Sequence, residues 1–330
     1  MSTYSQIRGT KIIITDEDIS SNSLELGQFY IKHTDNQIEL KGATFGGVWT
    51  AGGAMATARD GLAGAGTNTA ALGFGGYDGT DAVACTESYN GTSWTAGGAL
   101  ASAKNVLAGA GTNTAALAFG GTGGSITESY NGSTWSAADV MTTTRGFLAG
   151  AGTNTAALAF GGYGNGNVCA CTESYNGTSW TAGGALGTAR HSLAGAGTNT
   201  SALAFGGDSG GYSACTESYN GTSWTAGGAL GTARYALAGA GTNTAALGFG
   251  GYGDSGYLTC TESYNGSTWT AGGALGVAGY RLAGDGASNT AALAFGGFVR
   301  GSATESYNGS TWSAGGNLSL IHISEPTRPY

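Results

Sequence analysis

The chain has 330 residues, of which 10% are charged, against roughly 25% in ordinary soluble domains. It carries a net charge of −8, with 65 Gly, 2 Pro and five Cys. So few Lys and Arg cannot neutralise a run of phosphates, which excludes a nucleic-acid partner, and no stretch of about 18 apolar residues is present to span a membrane.

Residues 1–45 carry no repeat. MSTYSQIRGTKIIITDEDIS lacks the apolar core of a signal peptide, so a cytoplasmic location is expected from this segment alone. Ile12-Ile13-Ile14 reads as a strand. GQFYIKHTDNQIELK alternates Phe29 and Ile31, then Ile38 and Leu40, around Asp35-Asn36, which reads as a β hairpin. The start IRGTKI followed by GQFYIKHTDNQIELK resembles the leader segments of tail-fibre-like virion proteins of bacterial viruses. That resemblance implies a virion location, with this segment docking or joining copies into a homo-oligomer and the rest of the chain turned outward. Without it, the segment is a small cap.

From residue 46 the chain repeats. The seven Trp fall at 49, 94, 135, 180, 224, 269 and 312, with spacings of 45, 41, 45, 44, 45 and 43. A period near 44 suits one four-stranded propeller blade, and Gly runs such as LAGAG disfavour helical repeats. In the unit from Arg190 to Trp224, four short strands are expected. These are Leu193 to Gly197, then Ala202 to Phe205 after a Thr-Asn-Thr turn, then Cys215 to Tyr219, and last a strand holding Trp224. Asn220-Gly221 signals a two-residue type I′ turn with Glu87-type residues opposite the Trp. Small inner strands and bulky outer ones fit a propeller.

Recurring Gly-Gly after an apolar strand (Gly75-Gly76 through Gly296-Gly297), a Tyr followed by a Trp, and an Arg ahead of the next unit are similar to kelch repeats. The likeness covers residues 46–317. It implies an all-β kelch-type β-propeller of four-stranded blades. Six complete units predict six blades, with a seventh open in an untruncated protein, and Trp49 lies in a lone fourth-strand fragment. Tyr89 and Trp94 are closer together than in most kelch repeats. Galactose oxidase has similar blades but needs copper held partly by two His. Outside the last residues only His33 and His191 are present, so no copper site, no Ser-His-Asp set and no cofactor are expected. Asp-Gly loops lack EF-hand spacing, so no metal is assigned.

Residues with one role recur at one position. Glu87, Glu128, Glu173, Glu217, Glu262 and Glu305 form one ring. Arg59, Lys104, Arg145, Arg190 and Arg234 form another, broken at Gly279, with Arg281 two residues on. Repetition at a single position argues for structural pairs, in which each cation bonds a Glu or strand-end carbonyls, and against a sialidase-like clamp. Cys85, Cys171, Cys215 and Cys260 share a position with Ile126 and Ala303, which reads as a small buried core site. Cys169 sits two residues before Cys171, poor disulfide spacing along a strand.

Length varies in one place. The stretch between Gly-Gly and Thr-Glu-Ser runs 9, 5, 9, 8, 9 and 6 residues, while the other intervals are nearly constant. Antiparallel topology puts this loop on the face of the blade-to-blade connection, and insertions on one face mark a binding face. Its candidate ligand-binding residues are Tyr77, Asp78, Asp81, Tyr163, Asn165, Asn167, Asp208, Tyr212, Tyr252, Asp254, Tyr257, Phe298 and Arg300. Rings beside carboxylates and amides suit a glycan or protein on a cell surface.

Residues 318–330 contain LSLIHISEPTR, which matches an in-frame translation of a sequencing adapter and is set apart from the fold as an artefact of assembled metagenomic reads. The sequence therefore divides into a 1–45 attachment or cap segment, a 46–317 propeller and a 318–330 artefact. The expected function is a non-catalytic binding module on a phage appendage for host attachment. A cellular kelch scaffold for protein partners is the second reading. A glycan-cleaving propeller enzyme, using Asp78, Asp81, Asp208 or Asp254, is the third.

Overall fold

The computed structural model describes residues 12–15, 29–34, 37–42, 53–122 and 124–315. The chain divides into two compact units between Thr50 and Ala51. In the first, the expected hairpin forms from β2 (Phe29–Thr34) and β3 (Gln37–Gly42), with Ile31 opposite Leu40. Strand β1 (Ile12–Thr15) adds to it in parallel, Ile12 beside Phe29. The Trp49 fragment and the 318–330 tail lie outside the described residues.

The second unit is an all-β propeller of six four-stranded antiparallel sheets, each made from one consecutive repeat. Blade four shows the pattern: Ala194–Gly197, Ala202–Phe205, Thr216–Tyr219 and Trp224–Ala226. No helix among the described residues is long and apolar enough to cross a membrane.

The repeat sequence sets how blades meet. Leu and Phe alternate on one face of the second strand and Ala on the other, since successive side chains in a strand point to opposite faces. Leu158 and Phe160 of one blade therefore pack on Ala202 and Ala204 of the next, and all four are fully buried. The inner strands must be small. A Cβ on Gly109 would lie 2.5 Å from the Gly64 carbonyl and 2.7 Å from the Phe74 ring of the preceding blade.

The indole completes each joint. Trp135 packs on Phe74 with centroids 4.9 Å apart and donates from Nε1 to Thr86 Oγ1 at 2.9 Å. The same pair of contacts recurs around the ring. It closes with Trp94 on Phe295 at 4.9 Å and on Thr304 Oγ1 at 3.0 Å, joining blade one to blade six.

Three local expectations are corrected. Tyr219 pairs with Trp224, so the Asn-Gly loop has four residues, 220–223, and Glu217 faces Ala226 instead of the Trp. Gly221 has φ +93° but Asn220 does not adopt positive φ. The Asn220 carboxamide oxygen instead accepts the N–H groups of Thr222 and Ser223 at 3.0 and 2.9 Å, an Asx turn.

The shared Cys position is not a core site. Cys215 and Ile126 are exposed, and Cys85 and Cys260 are half-buried, because the chain has already left the packed second strand there. Cys169 and Cys171 both precede the strand Thr172–Tyr175, with Cα atoms 5.2 Å apart and the Cys171 N–H directed at Cys169 Sγ at 3.0 Å.

Candidate functional site

Cations and glutamates pair one to one inside the blades. Arg59, Lys104, Arg145 and Arg190 lie 2.5–2.6 Å from Glu87, Glu128, Glu173 and Glu217, and Arg234 lies 3.0 Å from Glu262. The guanidinium of Arg190 also reaches the Ala204 carbonyl at 3.3 Å, and Glu217 accepts the Gly187 N–H at 2.6 Å. Burial pulls the Arg145 and Arg234 pKa values down, against the pull of their glutamates. Burial alone would raise Glu173. Bonds from the Thr142 hydroxyl and N–H, with the Arg145 charge, hold it below the ordinary carboxylate value.

The sixth pair corrects an expectation. Arg300, assigned from sequence to the ligand-binding loops, has a fully buried side chain bonded to Glu305 at 2.6 Å. It runs through the space a side chain at 279 would fill, since a Cβ on Gly279 would lie 2.5 Å from Arg300 Cδ. Arg281 therefore does not fill the gap in the ring.

Above these pairs, each connecting segment crosses the rim of the axis. Gly61, Val106, Phe147, Ser192, Ala236 and Arg281 all take the left-handed conformation, with φ between 51° and 59°. Each N–H donates to the carbonyl of the preceding one at 2.7–2.9 Å, and the Gly61 N–H donates to Arg281, closing a circle of six bonds. For non-Gly residues this conformation costs on the order of 1–3 kcal/mol, and the circle is what over-determines it. Arg281 crosses this mouth. Its guanidinium carbon is 5.4 Å from the Phe147 centroid and 5.2 Å from that of Tyr280, and Nη1 is 3.7 Å from Asp60 Oδ1.

The residues just before this circle bridge to the variable loops: Asp60 to Tyr77, Gly146 to Tyr163, His191 to Asp208, Tyr235 to Tyr252 and Tyr280 to Phe298. Connections and loops thus share one surface. Over blades four to six they form an arc of six rings: Tyr212, Tyr235, Tyr252, Tyr257, Tyr280 and Phe298. Tyr212 stacks on Tyr235 at 5.6 Å, Tyr257 stacks on Tyr280 at 5.4 Å, and Tyr280 meets Phe298 edge-on at 5.5 Å. Burial raises the Tyr235 pKa, with the other hydroxyls adding to it.

Four of the arc's rings are sequence candidates, and two, Tyr235 and Tyr280, are not. They follow the ring's cation position, which is Gly279 in the last unit, in segments reading RDGL, KNVL, RGFL, RHSL, RYAL and GYRL. Identity there varies at fixed length, a signal that counting loop lengths misses.

The remaining candidates spread around the face. Tyr163 is exposed and meets His191 at 5.8 Å. Burial lowers the His191 pKa, against the pull of Asp208. Asn165 and Asn167 close their own loop, with Asn167 Nδ2 donating to the Asn165 carbonyl at 3.2 Å. Asp208 accepts the N–H groups of Gly210 and Gly211, and Asp254 is exposed beside Tyr257 in the loop of blade five. Asp78 accepts the N–H groups of Thr80 and Asp81, which hold its carboxyl below the ordinary range. Tyr77 and Asp78 lie across the blade-six seam from Phe298, and Asp81 is exposed.

Among the described residues no group of three or more His, Cys, Asp or Glu is placed to hold a metal ion. Fold and surface define a six-bladed β-propeller with one loop-built, aromatic face. No family model and no curated protein matches the chain.

Proposed function

We propose that the chain is a non-catalytic binding module whose loop-built face holds a glycan displayed on a cell surface. The observation that carries this reading is the continuous arc from Tyr212 to Phe298. Pyranose rings stack their apolar faces on aromatic side chains, while Tyr hydroxyls and nearby carboxylates suit sugar hydroxyls. The polar groups at its edges, Asp208 and Asp254, favour a sugar over a protein anchor. The six blade glutamates are each tied to a buried cation, so none of them is offered to a substrate.

In this proposal the module is kelch-like and belongs to a bacterial-virus appendage, with residues 1–45 as its attachment segment. The support is the likeness of IRGTKI and GQFYIKHTDNQIELK to tail-fibre leaders. Tail or capsid genes beside the coding sequence would add to it.

The test is a glycan array run with the intact chain and with Tyr252→Ala and Tyr257→Ala, alongside a hydrolysis assay on the retained glycans. Retention that falls at least tenfold in both variants, without product release, is expected. Retention unchanged in both would sink the arc as the binding surface. Product release would return Asp78, Asp81, Asp208 and Asp254 to a catalytic role.

A further inference from the structure

Where blade six meets blade one, the arc runs into a pocket of about 320 Å³, within the range of small-molecule sites. Phe298 and Val299 of blade six and Tyr77 of blade one line it, together with Asp60 and Asp78. Backbone bonds fix Tyr77 and Phe298. Tyr77 N–H donates to the Asp60 carbonyl at 2.7 Å, and Phe298 N–H donates to Tyr280 at 2.9 Å. Val299 is held at φ 73°, a strained conformation for a β-branched residue, and strain of this kind gathers at ligand sites.

The two carboxylates are not equivalent. Asp78 is exposed, and its Oδ1 is occupied by the N–H groups of Thr80 and Asp81. The Asp60 side chain is only 10% exposed, and its Oδ1 accepts no hydrogen bond from any described residue. The nearest cation, Arg281 Nη1, stands off at 3.7 Å, too far for a hydrogen bond. The Arg59 guanidinium, beneath the same pocket, is neutralised by Glu87. A buried carboxylate that Arg281 faces only at 3.7 Å, a second carboxylate at the rim and two aromatic rings leave room for a positively charged donor in closer contact. An ammonium group satisfies both requirements, bonding to carboxylate and lying against ring faces.

We propose that this seam pocket is the anchoring subsite for an ammonium-bearing sugar unit, with Asp60 and Asp78 as its counter-charges and Phe298 and Tyr77 as its stacking rings. This rests on the glycan reading above and deepens it. The unit's amine meets the Asp60 and Asp78 carboxylates, its ring lies on Phe298, and the chain that follows continues over Tyr280 and Tyr257.

The test is saturation-transfer NMR and calorimetry on the full chain with glucosamine, N-acetylglucosamine and choline as probes. Glucosamine binding at least tenfold tighter than N-acetylglucosamine is expected, because acetylation removes the charge. Asp78→Asn and Phe298→Ala should each weaken glucosamine about tenfold. Asp60→Asn should do the same if it folds, and the two surface variants keep the test decisive if it does not. Equal binding of the two sugars, or glucosamine binding unchanged by Asp78→Asn, would overturn the proposal. Choline bound while glucosamine is not would overturn its sugar part. Array glycans lost on Tyr252→Ala but kept on Asp78→Asn would remove the pocket and leave the arc. Glucosamine bound with no array glycan retained would remove the arc and leave the pocket.

Discussion

Arg300 donates from Nη1 to Glu305 Oε1 at 2.6 Å from only five residues away, whereas Arg59 reaches Glu87 across 28. The same buried carboxylate position is neutralised from two different points of the chain. In blades one to five the cation arrives on the connecting segment. In blade six it arrives on the loop between the second and third strands.

This equivalence predicts a rescue. Arg300→Ala leaves Glu305 buried without its charge partner and should cost about 3–5 kcal/mol. Gly279→Arg alone should also destabilise, because its side chain must enter space that Arg300 Cγ and Cδ already fill. Combined, the two should recover most of the loss, since the cation then arrives by the route the other blades use. Chemical denaturation of the four proteins checks this. A double variant no more stable than Arg300→Ala would refute the equivalence.

Much of the fold is legible in the sequence because the repeat multiplies a weak signal. Trp spacing, Gly-Gly pairs and small inner strands each recur six times and agree. The misses lie where one repeat departs from the rest or where side chains redirect the backbone. Nothing in the string GFVRGSATE says that Arg300 turns inward; only the vacancy at Gly279 makes room for it. Of the surface, the loops were legible through their lengths. Tyr235 and Tyr280 were not, because they vary within a segment of constant length and join the arc only through the fold.

The Asn-Gly turn offers a second test. A type I′ turn needs positive φ at its first central position, which Gly adopts without strain, whereas an Asx turn needs a side-chain oxygen at Asn220. Asn220→Asp keeps the acceptor for Thr222 and Ser223 and should leave the melting temperature nearly unchanged. Asn220→Gly removes both bonds and should cost about 1 kcal/mol. Thermal unfolding that ranks Gly above Asp would contradict the geometry.

Ring closure can be probed one indole at a time. Trp94→Phe removes the bond to Thr304 at the seam between blades six and one, and Trp224→Phe removes the matching, equally half-buried bond to Thr172. Each leaves a Thr hydroxyl without its donor, which costs about 1–2 kcal/mol. Because the two joints share the same contacts, the losses should agree within about 0.5 kcal/mol, and a joint looser at the seam would show a much smaller loss for Trp94→Phe.

The same seam carries a proton-linked term. Five inner strands have Ala where blade six has Asp285, and its carboxyl is packed so closely on blade one that a Cβ on Gly64 would lie 2.9 Å from it. Burial pushes its pKa up to about 8, although the Ala65 N–H pulls the other way. The folded value lies above the unfolded one. The associated stability is therefore full in acid and is lost as pH rises through about 8. Between pH 6 and pH 9 the loss amounts to about 3 kcal/mol. Asp285→Ala restores the residue of the other five strands and removes that slope, while every other titrating group stays common to both proteins. Urea unfolding midpoints should therefore fall less steeply with rising pH in the variant than in the wild type, and parallel wild-type and Asp285→Ala curves from pH 6 to 9 would show that the carboxyl titrates normally.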